Sequence, residues 1–143
     1  MAKFPSVAWF DAVRDIYNTD DELRGAGSGT CNCTLGVQVG REFFQLTFEG
    51  FECSAAEKIT KGKLDDCDFY LHMPAKDWRT MLSNIRQNGH ATYNQTLNTL
   101  DLDRPEGLST STHNDQYRED MFFRYNQTLQ FFFNASARIN TTY

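Results

Sequence analysis

Three histidines are the first candidates for acid–base chemistry, because this side chain changes its charge near neutral pH. They are His72, His90 and His113, and none lies at a spacing typical of a zinc site or a nucleophilic catalytic motif. Two-residue alternation around the first of them places Asp68, Tyr70 and His72 on one face of a strand. These three are the polar residues that an active site would use if the protein were an enzyme.

Thiols and carboxylates are the other groups that could hold a metal. Cys31, Cys33, Cys53 and Cys67 do not follow the spacing of a zinc site, and in a reducing compartment we expect free thiols that pack as small apolar side chains. The carboxylates of residues 65–68 lack the glycine and glutamate of a calcium-binding loop. The sequence therefore predicts no metal site, no cofactor and no catalytic residue that a motif identifies.

Composition and charge limit the class of partner. The chain has 143 residues, 40% of them hydrophobic, and a net charge of −5, which is typical of a single globular domain covering residues 1–143. Phosphate contacts need concentrated positive charge, so we expect no nucleic-acid partner. No apolar run approaches about 20 residues and the first residues do not resemble a secretory signal. We therefore expect no stable membrane insertion and a cytoplasmic location.

The spacing of apolar residues changes along the chain in a way that predicts an α+β fold. The first segment has helical spacing and begins after Ser6, a good N-cap residue. Residues 30–55 and 67–73 then alternate with a period of two, which predicts four short strands in an antiparallel meander. The alternation places on one face of these strands the residues Phe44, Leu46, Phe48, Phe51, Cys53, Ala55, Cys67, Phe69, Leu71 and Met73.

Two later segments predict helices. The first ends near Gly89 and carries an apolar stripe at helical spacing, formed by Trp78, Met81, Leu82 and Ile85. The second, residues 115–139, is the longest helical segment, and the stretch 90–114 between them allows a short helix, a strand or a polar loop. This order of elements predicts a sheet of antiparallel strands with helices on one face.

The last predicted helix contains three consecutive phenylalanines. A helix turns about 100° per residue, so these three side chains cannot share one face. The predicted core stripe comprises Met121, Phe122, Tyr125, Leu129, Phe132, Phe133, Ser136 and Ile139. Phe123 and Phe131 lie outside it. Three interpretations fit these two residues: isolated surface aromatics, contacts for a second element or a homodimer partner, or a lid over an apolar ligand.

Four stretches of the chain resemble the sterol carrier protein type-2 (SCP2-like) family. The similar stretches are "WFDAVRDIYNTDDELR" as the opening helix, "CNCTLGVQVGREFFQLTFEGFEC" as a run of strands, "CDFYLHMPAKDWRTML" as a strand leading into a helix, and "RYNQTLQFFFNASARI" as the last helix. The similarity covers most of residues 6–140.

The resemblance implies about five mostly antiparallel strands, covered by helices on one face and enclosing an apolar cavity. It implies an intracellular, non-catalytic module that binds or carries sterols, fatty acids or acyl thioesters. The expected cavity lining comprises Phe44, Leu46, Phe48, Phe69, Leu71, Trp78, Leu82, Phe123, Leu129, Phe131, Phe132 and Phe133.

Two other hypotheses stay open beside the lipid carrier. A small enzyme with an apolar pocket, such as an isomerase or hydratase, would need a buried carboxylate or histidine with a perturbed pKa, and Asp68, Tyr70 and His72 are its candidates. An accessory subunit or homodimer would instead bury Phe123 and Phe131 against its partner. The sequence does not exclude an enzyme, but it favours a non-catalytic binding protein.

Overall fold

Helices and strands follow one another along the chain as an α+β fold. The computed structural model describes residues 2–24, 29–105, 107–110 and 116–143, with the backbone alone for residues 116–119. In chain order the elements are β1 (Ala2–Lys3), α1 (Val7–Thr19), α2 (Asp21–Arg24), β2 (Cys33–Val39), β3 (Glu42–Glu49), β4 (Glu52–Ile59), β5 (Phe69–Met73), α3 (Ala75–Asn88), α4 (Leu97–Asp103), β6 (Ser109–Thr110), α5 (Gln116–Asn134) and β7 (Thr141–Thr142). Short 3-10 helices occupy Lys61–Asp66, Tyr93–Gln95 and Ala135–Arg138. The predicted α+β class is confirmed.

The main sheet has five strands in the order β4-β3-β2-β5-β6, and β1 and β7 form a small parallel sheet of their own. Strands β2, β3 and β4 are antiparallel neighbours, and β6 is antiparallel to β5. Strand β5, however, pairs in parallel with β2. The predicted four-strand meander is therefore wrong at β5, because the connection through Lys61–Asp66 carries the chain back across the sheet before β5 begins.

This crossing connection explains a glycine in the middle of β2. A Cβ added to Gly36 would lie 2.7 Å from Cβ of Tyr70 and 2.8 Å from Cδ2 of Leu64, which belongs to the connection. A side chain at this position would separate the connection and β5 from β2. Ile59, Leu64 and Cys67 form a small buried cluster on this side of the sheet, which we call the outer face.

The helices pack on the opposite side, the inner face, where the large core lies. The predicted alternation is confirmed in β2, β3 and β5, whose inward residues are buried. It fails on both sides of Cys53. Phe51 lies in the turn before β4 and is exposed. After Cys53 the register shifts, and Ser54 is an extra residue opposite the pair Thr47 and Phe48. Ala56, not Ala55, is consequently the next residue of β4 packed against the core.

Local signals fix the ends of the helices as predicted. The hydroxyl of Ser6 accepts a hydrogen bond from the amide of Trp9 at 3.0 Å and so caps α1. Helix α3 ends at Gly89, whose φ of 80° is the left-handed conformation that favours glycine. The apolar stripe predicted for α3 is buried. Among the described residues, no helix combines the length and apolarity that a bilayer-spanning segment needs.

The ambiguous segment 90–114 contains both a helix and a strand. Helix α4 begins after Thr96, whose hydroxyl accepts from the amide of Thr99 at 3.2 Å. Strand β6 joins the sheet through the pair Tyr70 and Thr110. Residue 106 and residues 111–115, with the candidate base His113, lie outside the described residues.

Candidate functional site

A continuous layer of aromatic rings fills the space between the inner face and the helices. Neighbouring ring centroids are 4.7–6.3 Å apart, and every ring is at most 3% exposed. We call this group the closed cluster, and it comprises Phe4, Trp9, Phe10, Tyr17, Phe44, Phe48, Trp78, Phe132 and Phe133. Both indole N–H groups are hydrogen-bonded. That of Trp9 donates to the hydroxyl of Thr141 at 3.0 Å, and that of Trp78 donates to the carbonyl of Gln38 at 2.9 Å. This part of the core is well packed and hydrogen-bonded.

A second set of rings runs from the core to the surface. Phe69 of β5 lies 6.4 Å from Phe122 of α5, and Phe122 lies 5.6 Å from Phe123. The first two side chains are fully buried, whereas Phe123 is 57% exposed. We call these three residues the open row, because here the aromatic core meets solvent.

The structure brings most of the predicted cavity residues together. The buried core contains Phe44, Leu46, Phe48, Phe69, Leu71, Trp78, Leu82, Leu129, Phe132 and Phe133. Phe131 is partly buried against that core and Phe123 is exposed. Phe131 is less isolated than the helical geometry of α5 alone indicates, because α5 has α1, α2, α3 and α4 as neighbours in addition to the sheet. The use of these residues as a cavity for a ligand stays a prediction.

The polar residues of β5 lie on the outer face, as alternation predicts, but they do not converge. The carboxylate of Asp68 accepts from the amide of Thr34 at 2.8 Å and so joins β5 to β2. The rings of Tyr70 and His72 are 5.8 Å apart. A strand advances about 3.3 Å per residue, so Asp68 and His72 are separated by roughly 13 Å along β5. Burial, followed by the charge of Asp65, raises the pKa of Tyr70 and keeps its phenol protonated. This geometry does not form an acid–base pair.

The four cysteines are buried thiols, and none of them forms a disulfide bond. The sulfur atoms of Cys31 and Cys33 are 3.7 Å apart, and this hydrogen bond, followed by burial, raises the pKa of Cys33. Burial raises the pKa of Cys53, and that of Cys67, to about 12. At neutral pH the thiols of Cys33, Cys53 and Cys67 are therefore protonated and poor nucleophiles. Within the described ranges, no three potential ligands are grouped so that they could hold a metal ion.

Sequence reasoning did not single out two arginines of the outer face. Arg41 and Arg104 line one cleft together with His72. No motif connects the two arginines, and they are far apart in the chain, so only the pairing of strands brings them close. The one available signal was their positive charge in a chain whose net charge is −5.

Comparisons with known proteins identified no relative of this chain. No family model, no curated protein and no solved structure matches the chain. The similarity to the sterol carrier protein type-2 family therefore depends on the four stretches quoted above and stays a prediction. What supports a function is the geometry of the two faces of the sheet.

Proposed function

We propose that the protein binds an apolar, lipid-like small molecule at the open row, between α5 and the inner face of the sheet. The observation that carries this proposal is the continuity of Phe69, Phe122 and Phe123 from the buried core to a half-exposed ring. A solvent-exposed aromatic that continues into an apolar core provides a surface on which an acyl chain or a fused-ring ligand can be buried. Carriage of such a ligand is also what the resemblance to the sterol carrier protein type-2 family implies.

Binding energy at this site would come from apolar contact. Each CH₂ group that leaves water contributes about 0.8 kcal/mol, before the cost of ordering the ligand. The open row offers only hydrocarbon surface, so the selectivity would be broad and would follow the length and width of the ligand. A fatty acid and a sterol are therefore expected to compete with each other.

The ligand would enter by separating Phe122 from Phe69, because both side chains are fully buried. The other half of α5 would stay in place. Gln130 anchors it by accepting from the amide of Leu97 at 2.7 Å, and Asn134 does so by accepting from the amide of Ala91 at 3.1 Å. The closed cluster holds the same half of α5 through Phe132 and Phe133.

The test is the uptake of a fluorescent fatty acid by the wild type and two matched variants. Phe123→Asp places a carboxylate at the mouth of the open row and should weaken binding at least about tenfold, a change of roughly 1.4 kcal/mol. Phe51→Asp makes the same change at a ring that is 47% exposed in the turn between β3 and β4, and it should leave binding unchanged. No uptake by the wild type, or equal loss in both variants, would count against the site.

A homodimer that buries Phe123 is the second candidate, since the same exposed ring would suit an interface. It predicts that the sedimentation coefficient of the wild type rises with concentration and that Phe123→Asp abolishes the rise. A protein that stays monomeric at all concentrations and takes up the fatty acid would eliminate this alternative. The enzyme hypothesis receives no comparable support, because Asp68 and His72 lie far apart.

A further inference from the structure

A cleft of about 410 Å³ opens on the outer face, where β2 and β5 end. The parallel pairing sets Gln38 beside His72. The amide of Gly40 donates to the carbonyl of Met73 at 3.1 Å, which holds the turn between β2 and β3 against the end of β5. Arg41 of this turn and His72 of β5 consequently line the same cleft.

Arg104 supplies the second guanidinium group of the cleft. It follows α4 in the chain, and its side chain is only 19% exposed. Its Nη1 donates to the carboxylate of Asp77 at 3.0 Å, which fixes the orientation of the guanidinium group. The Nε atom of Arg104 is buried and has no hydrogen-bond acceptor among the described residues. A buried donor of this kind is unfavourable unless an acceptor comes within reach.

This cleft is lined by two arginines, whereas two other clefts, on α3 and α5, are lined by one arginine each. Two arginines and a histidine line the cleft between the ends of β2 and β5. Among the described residues no carboxylate lines it, although the carboxylate of Asp77 pairs with Arg104. A cleft beside the end of α1 is lined instead by Asp20, Asp21, Glu22 and Arg138. A local concentration of cationic groups on a chain of net charge −5 favours an anionic ligand.

We propose that this cleft binds the phosphate group of a small phosphate monoester. A guanidinium group donates two parallel hydrogen bonds to phosphate oxygens, and Arg104 is already oriented by Asp77 for such a contact. Arg41 is exposed and no ion pair engages it in the described part of the chain. The two guanidinium groups can donate to the three terminal oxygens of a monoester, and the imidazole of His72 lines the same cleft. The site is on the outer face and does not depend on the apolar site proposed above.

The experiment is a titration of the full chain with inorganic phosphate at constant ionic strength, followed by the backbone amide signals in NMR spectra. Shifts should concentrate at Gly40, Arg41, His72 and Met73. Arg41→Gln and Arg104→Gln should each weaken binding about tenfold, because each removes a charge-assisted contact. Arg124→Gln is the matched control, since this arginine lines a cleft of similar volume, about 420 Å³, on α5.

Arg104→Gln also removes the partner of Asp77, so a melting curve must accompany it. Arg41→Gln has no such partner to lose, and it keeps the test decisive if the first variant is unstable. Shifts spread over the whole surface, or equal affinity in Arg41→Gln and the wild type, would overturn the proposal and leave an adventitious ion only. Phosphatidylcholine vesicles with phosphatidic acid form the second arm, and vesicle binding that Arg41→Gln abolishes would overturn the assignment to a small monoester in favour of a lipid headgroup.

Discussion

The two faces of the main sheet are built from different chemistry. The inner face carries rings and aliphatic side chains that pack against α1, α3 and α5, while the outer face carries polar groups, two arginines and only a small apolar cluster. Strand β5 contributes to both, with Phe69 and Leu71 inward and Tyr70 and His72 outward. Stability is therefore expected to depend mainly on the inner face, and the recognition of charge on the outer face.

The largest effect is expected from Phe132→Ala in the closed cluster. This ring lies within 5.6 Å of Tyr17, Phe48 and Phe133 and is fully buried. Its removal leaves a cavity and should lower the free energy of unfolding by about 3–5 kcal/mol, measured by urea denaturation. Phe123→Ala makes the same change at an exposed position of α5 and should lower the free energy of unfolding much less. Similar losses in the two variants would break the distinction between the closed cluster and the open row.

The pH dependence of stability should separate Tyr17 from ordinary tyrosines. Burial raises the pKa of Tyr17 from 10.0 to about 12. Above pH 10 the unfolded chain loses this proton while the folded protein keeps it, so the stability falls as the pH rises. At about 1.36 kcal/mol per pKa unit, the loss between pH 10 and 12 is about 2–3 kcal/mol.

Urea denaturation of the wild type and Tyr17→Phe over this pH range measures that contribution. The variant should keep the part of the pH dependence that comes from other groups and lose the part due to the phenol. If the stability of the two proteins changed with pH in the same way, Tyr17 would have an ordinary pKa in the folded protein.

On the outer face, Gly36→Ala tests a position where β2, β5 and the crossing connection are in close contact. The added methyl group meets Cβ of Tyr70, which cannot move without β5. Such overpacking should lower the free energy of unfolding by about 1–3 kcal/mol. Gly62→Ala is the control, because nothing lies within 4 Å of its Cβ position in the connection between β4 and β5. If Gly36→Ala left the free energy of unfolding unchanged, β2 would not be in close contact with β5 and the connection.

The smallest effect is expected from Asp68→Asn. The amide oxygen can still accept from Thr34, so only the charge assistance of that hydrogen bond is lost. The expected destabilisation is about 1 kcal/mol or less, and a shift of the melting temperature measures it. Asp66→Asn, at an exposed position nearby, should change the melting temperature even less. If Asp68→Asn destabilised the protein as much as Phe132→Ala, the outer face would contribute more to stability than its packing explains.

Local patterns were sufficient to predict much of the inner face. The cap at Ser6, the helix end at Gly89 and the stripe of α3 are set by residues close together in the chain, so spacing alone reveals them. The stripe of α5 is predicted for the same reason, with Phe122, Phe132 and Phe133 fully buried. These are the features for which the period of the apolar residues and the period of the structure agree.

The remaining features depend on contacts between distant parts of the chain. No local pattern marks Ser54 as an extra residue, yet it changes the face of every later residue in β4. The parallel position of β5 follows from the crossing over Gly36, whose reason becomes visible only when Leu64 and Tyr70 are seen beside it. The meeting of Arg41 with Arg104 depends on that same crossing, and sequence analysis therefore missed the cationic cleft.

The strand order also has a consequence for the kinetics of folding. Strands β2, β3 and β4 are joined by short turns, so they can pair early with little loss of chain entropy. The pair of β2 with β5 joins Leu35 to Phe69, 34 positions apart, and contacts of such separation form slowly. Both proposed sites use β5. A nascent chain leaving the ribosome would therefore have neither site until its fifth strand had emerged and closed the middle of the sheet.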